Sequence, residues 1–426
     1  METEDSRPAI PASKKAYILE TSNACMVNIS GMAKFKKLFL SNEWELVSHP
    51  SSADFVLVCS CAFNQNQEDY SLETIAALKK KMKPGAELVV AGCLPKINEE
   101  RLRGVFDGVA FGPQENEKID EMIRAETRLA DISNVTVSRE DFRTSFLNSL
   151  NKVVANVFLR GPILALEKYF HLKIEPYYKI LNTLYDHHIF YIEACSGCLG
   201  SCSYCAIRQA KGTLRSVPIG KIIDEFRYGL SQGYKKIGLI GDDLGYYGHD
   251  LGTDLVVLLE EILKIEGDYS LLLYYIEPMD FEKMFPRFKK LLGSGKFIDM
   301  NIPVQTASNR VTRLMNRNCD IENVIAFASE IRREFPSINV RTHVIVGFPG
   351  ETEEDFEKGT KLFDAFDEVG VFKYTDRPRT PASRMINKIP EPVKDARVKV
   401  MRRRFLRDLY FRKLWRIRFV FNAKKG

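Results

Sequence analysis

A chain of 426 residues is long for one ordinary domain and suits two or three, with 45% hydrophobic residues to fill a sizeable core and 28% charged residues to cover it. A formal charge of +6 makes no strong field for nucleic acid by itself, and no stretch is long and apolar enough to cross a bilayer, the greasiest region (153–166) being cut by Arg160, Gly161 and Pro162. Nine cysteines, an odd count behind a polar, acidic start with no secretory character, argue against a disulfide framework and for reduced thiols and metal ligation in a cytoplasm.

Residues 1–14 read as a flexible tail. The next segment, 15–127, repeats one plan, a short apolar run followed by a helical pattern. Residues 16–20 predict a strand, Cys25-Met26-Val27-Asn28 a turn and 31–40 a helix; 54–61 lead into a helix at 67–81, and 87–93 into one at 98–103. That alternation predicts an open parallel α/β sheet, whose strand ends share one ligand-collecting edge. Cys25, Cys61 and Cys93 each fall at or just past such an end, so three distant thiols are expected to converge. A single cysteine there is ordinarily core; three in equivalent positions make a ligand set. Cys59 points the same way as Cys61 if the strand runs that far, and is then an alternative ligand.

Residues 128–186 predict a helical insertion or linker, with helices over 138–154 and 163–172. Phe142, Phe146, Leu150 and Val153 lie on one side of the first, which suits helices that cap the flanking domains, or helices that dock on a partner or a membrane surface.

Residues 187–390 alternate again, with strands at 189–193, 236–241, 271–276, 298–304, 339–346 and 369–374, and helices at 219–231, 254–265, 281–292, 321–335 and 353–365. Six strands joined by helices predict a partial (β/α)6 barrel, open at the side, with its chemistry at the C-terminal strand ends. Just past the first strand stands Cys198-Leu199-Gly200-Ser201-Cys202-Ser203-Tyr204-Cys205. Three thiolates hold three irons of a four-iron cluster and leave the fourth iron open to a small molecule. A zinc site closed by Cys195 as fourth ligand is the alternative reading.

The CxxxCxxC spacing with Tyr204 before its last cysteine resembles the radical S-adenosylmethionine (SAM) enzymes, and the text that follows, from Cys205 to Ser216, resembles their methylthiotransferase branch. The resemblance spans roughly 15–125 and 188–390 and implies two [4Fe–4S] clusters. Cys198, Cys202 and Cys205 would hold the one that binds SAM, which a reducing electron splits to a 5'-deoxyadenosyl radical. Cys25-Met26-Val27-Asn28, Ser60-Cys61 and Gly92-Cys93 are similar to the motifs whose cysteines hold a second, sulfur-handling cluster. Tyr204, Gly241, Gln305 and Gly347 would border the cofactor. Gly241-Asp242-Asp243, Asn301-Ile302-Pro303-Val304-Gln305, Met315-Asn316-Arg317 and Gly347-Phe348-Pro349-Gly350 are similar to family stretches, with Asp242 replacing a glutamine and Asn301 standing where a histidine is usual. His343, inside an apolar strand, reads as a hydrogen-bonded core histidine, and Cys319 has no assignment.

Residues 391–426 predict a basic helical extension; over 393–425 about a dozen Lys and Arg face only Asp395 and Asp408 and are interleaved with aromatics. It suits phosphates, anionic lipid or a partner, and equally a solvated face over a packed stripe. Family members commonly end in a small RNA-binding barrel, TRAM, for which little chain remains here. The expectation is a cytoplasmic methylthiotransferase acting at an unactivated C–H bond of a tRNA adenosine, with a protein or peptide side chain as alternative, fed by a flavodoxin or ferredoxin-like donor. An iron-sulfur or zinc binding module without turnover is the expectation from another class.

Overall fold

The computed structural model describes residues 13–22, 25–133, 189–278 and 281–408. The tail, the expected helices of 138–154 and 163–172 and the chain past 408 lie outside the described residues. Two compact units divide the chain, with a border between Ile192 and Glu193.

The first unit holds four strands, β1 (Lys15–Glu20), β2 (Glu45–Leu46), β3 (Phe55–Ser60) and β4 (Glu87–Gly92), in the order β2-β1-β3-β4. Every pair is parallel, with Glu20 opposite Cys59 and Ser60 opposite Gly92. All six residues of β3 are buried, as a continuous Phe-Val-Leu-Val run in mid-sheet requires. The core is built on Phe39, Trp44 and Phe55, whose ring centroids lie 5.2–5.8 Å apart, with Phe35 and Leu57 against them. The helix expected at 31–40 runs from Met26 to Ser41, so Cys25 caps it and Met26-Val27-Asn28 is its first turn; Met26, Val27 and Ile29 bury the apolar face that starts it there. Helix Gln65–Lys79 begins at Asn64, whose side chain accepts the Gln67 N–H at 3.0 Å.

The second sheet comprises β5 (Ile189–Ser196), β6 (Arg215–Ser216), β7 (Lys236–Gly241), β8 (Ser270–Leu273), β9 (Phe297–Asn301), β10 (Asn339–Val346) and β11 (Glu368–Lys373), in the order β11-β10-β9-β8-β7-β5-β6. β8 to β11 pair in parallel, whereas the short β6 is antiparallel to β5 at the edge. Six strands of sequential order with helices between them are the expected open barrel sheet; β6 adds a seventh. β8 and β9 end earlier than expected. Tyr275 takes a left-handed φ of 64° just beyond β8, and Pro303, with no N–H to give, follows β9. The single helix expected at 353–365 is broken into Glu353–Thr360 and Leu362–Ala365 after Gly359. No helix among the described residues is long and apolar enough to cross a membrane.

The C-terminal helix, Glu391–Asp408, divides its cations. Lys394 and Arg397 are buried, Arg397 donating to Glu351 at 2.7 Å and to Glu353 at 2.8 Å, while Lys399, Arg402 and Arg403 face outward. One side of the helix thus packs on the domain and the other is solvated.

Candidate functional site

In the first unit three backbone devices place three thiols. Cys25 opens helix Met26–Ser41, and its side chain makes no cap hydrogen bond. Cys61 follows β3, and its N–H lies 3.2 Å from Thr21 Oγ1 and 3.1 Å from Ser71 Oγ, two hydroxyls that stand 2.7 Å apart. Cys93 follows β4 and donates its N–H to Ser60 O at 2.9 Å. Burial, and after it the charges of Cys93 and Cys25, push the Cys61 thiol well above its ordinary value, so the three sulfurs feel one another. Thiolates that repel one another in a buried place are stabilised by cations, the donor chemistry that a metal cluster needs.

Gly92 makes the close approach of β3 and β4 feasible. Its φ is 104°, and a Cβ there would stand 2.3 Å from Ser60 O. Gly92→Ala is expected to cost about 2 to 4 kcal/mol, from a left-handed backbone and a backbone clash together, and to displace Cys93. Urea midpoints measure the first effect and iron content the second.

Cys59 requires a correction. β3 stops at Ser60, so Cys61 is beyond the strand, and the Cys59 sulfur packs into the core with Phe35, Leu57 and Ala91. The condition for its sharing a face with Cys61, a strand that runs as far as Cys61, is therefore not met.

Glu20, at the end of β1, is 3% exposed; Ser22 N–H donates to one carboxylate oxygen, and among the described residues the other has no partner. Burial pushes its carboxyl up to about 7, against the lowering by the Ser22 hydrogen bonds. A carboxyl raised on folding favours the native state below the unfolded carboxylate range, and that contribution disappears as pH rises through about 7. Glu20→Gln is expected to remove this pH dependence, a difference of about 3 kcal/mol between pH 5 and pH 9, read from denaturation midpoints.

In the second unit the loop after β5 carries the other thiols. Gly197 turns it with a φ of 73°, and the backbone N–H groups of Gly200 and Ile207 point at Cys198 Sγ (3.1 Å) and Cys205 Sγ (3.4 Å). The loop is tied down by Ser203, whose N–H reaches Met315 O at 2.8 Å and whose hydroxyl reaches Leu314 O at 2.9 Å. Burial and the neighbouring Cys202 push the Cys205 thiol up to about 12; burial pushes Cys202 to about 11, opposed by Arg317. Burial and then Asp243 raise Cys198, whose Sγ lies 3.1 Å from Asp243 Oδ2. Three thiols with N–H groups aimed at two of them, and a cation beside the third, fit a site for anionic sulfur. Among the described residues no three His, Cys, Asp or Glu side chains close on a single metal ion; a four-iron cluster takes its thiolates at separate irons.

Beneath the loop lies a buried ionic network. The Arg317 side chain is 0% exposed; it donates to Tyr204 Oη at 2.8 Å and to Pro303 O at 2.7 Å, and pairs with Glu277. Asp243 is buried with Oδ1 unpartnered, and burial followed by the charge of Glu277 raises its carboxyl. Sequence reading missed Glu277; the available signal was a carboxylate at the C-terminal end of a barrel strand, directly before Pro278.

The remaining expected residues fall as follows. Gln305 holds a left-handed φ of 64° and inserts beside β10, taking His343 O at 2.8 Å and giving its own carbonyl to Ile345 N–H at 2.8 Å. Gly241 lacks a side chain because Cys195 Sγ occupies that place, 2.5 Å from where a Cβ would sit. Cys195, 0% exposed, turns its sulfur to Asp243 O at 3.2 Å, and burial, followed by the charge of Asp243, raises its thiol. At Gly347, φ 81°, the space of a Cβ is taken by the Lys394 stem, 2.3 Å away, so packing against the C-terminal helix is itself a reason for glycine. Cys319 is half-buried, and its charge is felt by Arg317.

Residues 192–362 match the Radical SAM superfamily, and residues 17–112 match a family described as uncharacterized protein family UPF0004. A structure of the radical SAM methyltransferase TsrM from Kitasatospora setae superposes with a TM-score of 0.57 over 87% of this chain and 75% of that one, at 13% identity, which establishes the fold. Fold and thiol loop thus define a radical SAM enzyme. Among curated proteins, the probable threonylcarbamoyladenosine tRNA methylthiotransferase of Pyrococcus abyssi is 31% identical over 80% of this chain and 72% of its own length. MtaB, the threonylcarbamoyladenosine tRNA methylthiotransferase of Thermotoga maritima, is 30% identical over 82% and 73%, and RimO, the ribosomal protein uS12 methylthiotransferase of Chlamydia pneumoniae, 28% over 89% and 75%. The chain belongs to the radical SAM methylthiotransferase family. It is accordingly a radical SAM transferase, not a binding module without turnover, and its family uses [4Fe–4S] clusters and SAM.

Proposed function

We propose that this enzyme inserts a methylthio group at an unactivated C–H bond of a tRNA adenosine. The observation that carries the reading is that the two relatives at 30% and 31% identity are named for threonylcarbamoyladenosine of tRNA, whereas the uS12 enzyme of Chlamydia pneumoniae stands at 28%. The outward Lys399, Arg402 and Arg403 support it, being cations left over from internal pairing and free for phosphates. Cys198, Cys202 and Cys205 hold the SAM-binding [4Fe–4S] cluster and Cys25, Cys61 and Cys93 the second. When bound, these supply the electron that cleaves SAM and the sulfur that is transferred.

The chain's own residues do the orienting. Gly200 and Ile207 N–H aim at the sulfurs of Cys198 and Cys205, Asp243 Oδ2 is the acceptor for the Cys198 thiol proton, and Arg317 fixes the Tyr204 ring by its phenol. Thr21 and Ser71 fix the Cys61 backbone. The setting is cytoplasmic, with a flavodoxin or ferredoxin-like donor. The test is mass comparison of tRNA nucleosides from cells with and without the gene, where one adenosine derivative is expected to lose a methylthio group on deletion. Unchanged tRNA together with loss of that group from ribosomal protein uS12 overturns the reading.

A further inference from the structure

One face of the second sheet carries a polar feature that the cluster chemistry does not use. Asn301 stands opposite Arg341 in the β9–β10 register, His343 follows on the same face and is opposite Gly370 of β11, and Ile345 is opposite Phe372. Ile345 packs in a cluster with Phe348, Tyr374 and the partly buried Tyr204, so this face leads up to the thiol loop. Asn301 Nδ2 lies 3.3 Å from His343 Nε2. Burial, and after it Arg341, lower the His343 pKa to about 4, so the ring is neutral; facing the Asn301 NH2, its Nε2 takes the acceptor role. The other end of the amide is then Oδ1, and among the described residues it has no partner although Asn301 is 3% exposed. A buried carbonyl without a donor is unfavourable, and such an atom is retained where something else supplies the donor.

Three further observations mark the surroundings. Gly370 leaves room for the histidine, since a Cβ there would be 2.8 Å from His343 Cδ2. The Tyr275 ring stands 6.0 Å from the His343 ring, and Phe372 meets His343 edge-on at 5.2 Å. Tyr275 and Gln305, on either side of Asn301 in sequence, both hold left-handed φ values of 64°, strain that a bulky aromatic and a glutamine keep only where the surroundings demand it. An amide oxygen beside aromatic faces is the combination that reads adenine, the amide taking the exocyclic N6–H and a ring taking the base plane.

We propose that Asn301 is the residue that reads the N6 substituent of the adenosine: its Oδ1 accepts the substrate N6–H while the base lies against the Tyr275 ring. This rests on the tRNA reading above. Asn301 thereby sets substrate choice and takes no part in the radical step.

The test uses the reconstituted full-length enzyme with three tRNA substrates that differ at one adenosine: N6-threonylcarbamoyladenosine, its N6-methyl analogue without the N6–H, and plain adenosine. The wild type is expected to lose about tenfold in kcat/KM on the N6-methyl tRNA, through KM. Asn301→Leu, similar in size without the acceptor, is expected to treat the N6–H and N6-methyl tRNAs alike, and Asn301→Asp, which keeps an oxygen acceptor, to preserve the preference. Equal wild-type KM for the N6–H and N6-methyl tRNAs overturns the proposal whether or not the variants fold, as does an Asn301→Leu enzyme of wild-type melting temperature that keeps the preference. A wild type inactive on every tRNA and active on uS12 overturns the tRNA reading and this inference together.

Discussion

Cys202→Ala is expected to lower the iron of the anaerobically reconstituted protein from about eight to about four atoms per chain and to abolish SAM cleavage, whereas Cys61→Ala loses the other four irons and keeps the cleavage. The contrast follows from two thiol sets in two compact units. Cys202 lies in the loop after β5 with Cys198 and Cys205, and its sulfur is the one beside the Arg317 charge. Cys61 feels Cys25 and Cys93. Removing one of three ligands leaves two buried thiols that cannot retain a cluster against reconstitution and washing, but the other set is untouched because its thiols are placed by different strands. Iron and sulfide analysis with chromatography of 5'-deoxyadenosine measures both outcomes. Retention of SAM cleavage by Cys202→Ala, or its loss in Cys61→Ala, reverses the assignment of the two sets.

Arg317→Met is expected to destabilise the enzyme by about 3 to 5 kcal/mol, because it leaves Glu277 as an uncompensated buried charge. Arg317 is fully enclosed and serves three acceptors, Glu277, Tyr204 Oη and Pro303 O, so no water can replace it. The loss depends on pH in a definite sense. Burial already raises the Glu277 carboxyl, and Arg317 is what opposes that rise. Without the guanidinium the carboxyl rises further, the protonated form is the one that folds, and stability declines as pH increases through the raised value. The variant is therefore expected to be closest to wild type at pH 5 and furthest at pH 8. Arg317→Met combined with Glu277→Gln is expected to recover most of the loss, since it removes the charge together with its partner. Equal denaturation midpoints for the single and double variants at pH 8 sink this account. The Tyr204 ring is also freed, so SAM affinity is expected to fall in both.

Much of this was legible because the signals are short-range. The Cys198, Cys202 and Cys205 spacing fits within one loop, and the three N-terminal cysteines were legible because each follows a strand that reads as a continuous apolar run. Helix starts moved where burial outweighed local signals: Met26, Val27 and Ile29 extend the first helix back to Cys25 because they face the core. For Cys59 the sequence left the outcome conditional on how far the strand runs, and β3 stops one residue short of Cys61.

What the amino-acid order determined by itself was the set of thiols, the alternation of strands and helices and, through family text, the class of reaction. What only the tertiary structure decided was which polar groups are left with nothing to bond. Glu277 meets Arg317 across 40 residues and Asn301 meets His343 across 42. Such partnerships, and the unpaired oxygen of Asn301 and of Asp243, are set by the register of parallel strands and by which loops end beside one another. A chain of residues carries no local mark of either, because desolvation acts on a side chain only when distant segments close around it.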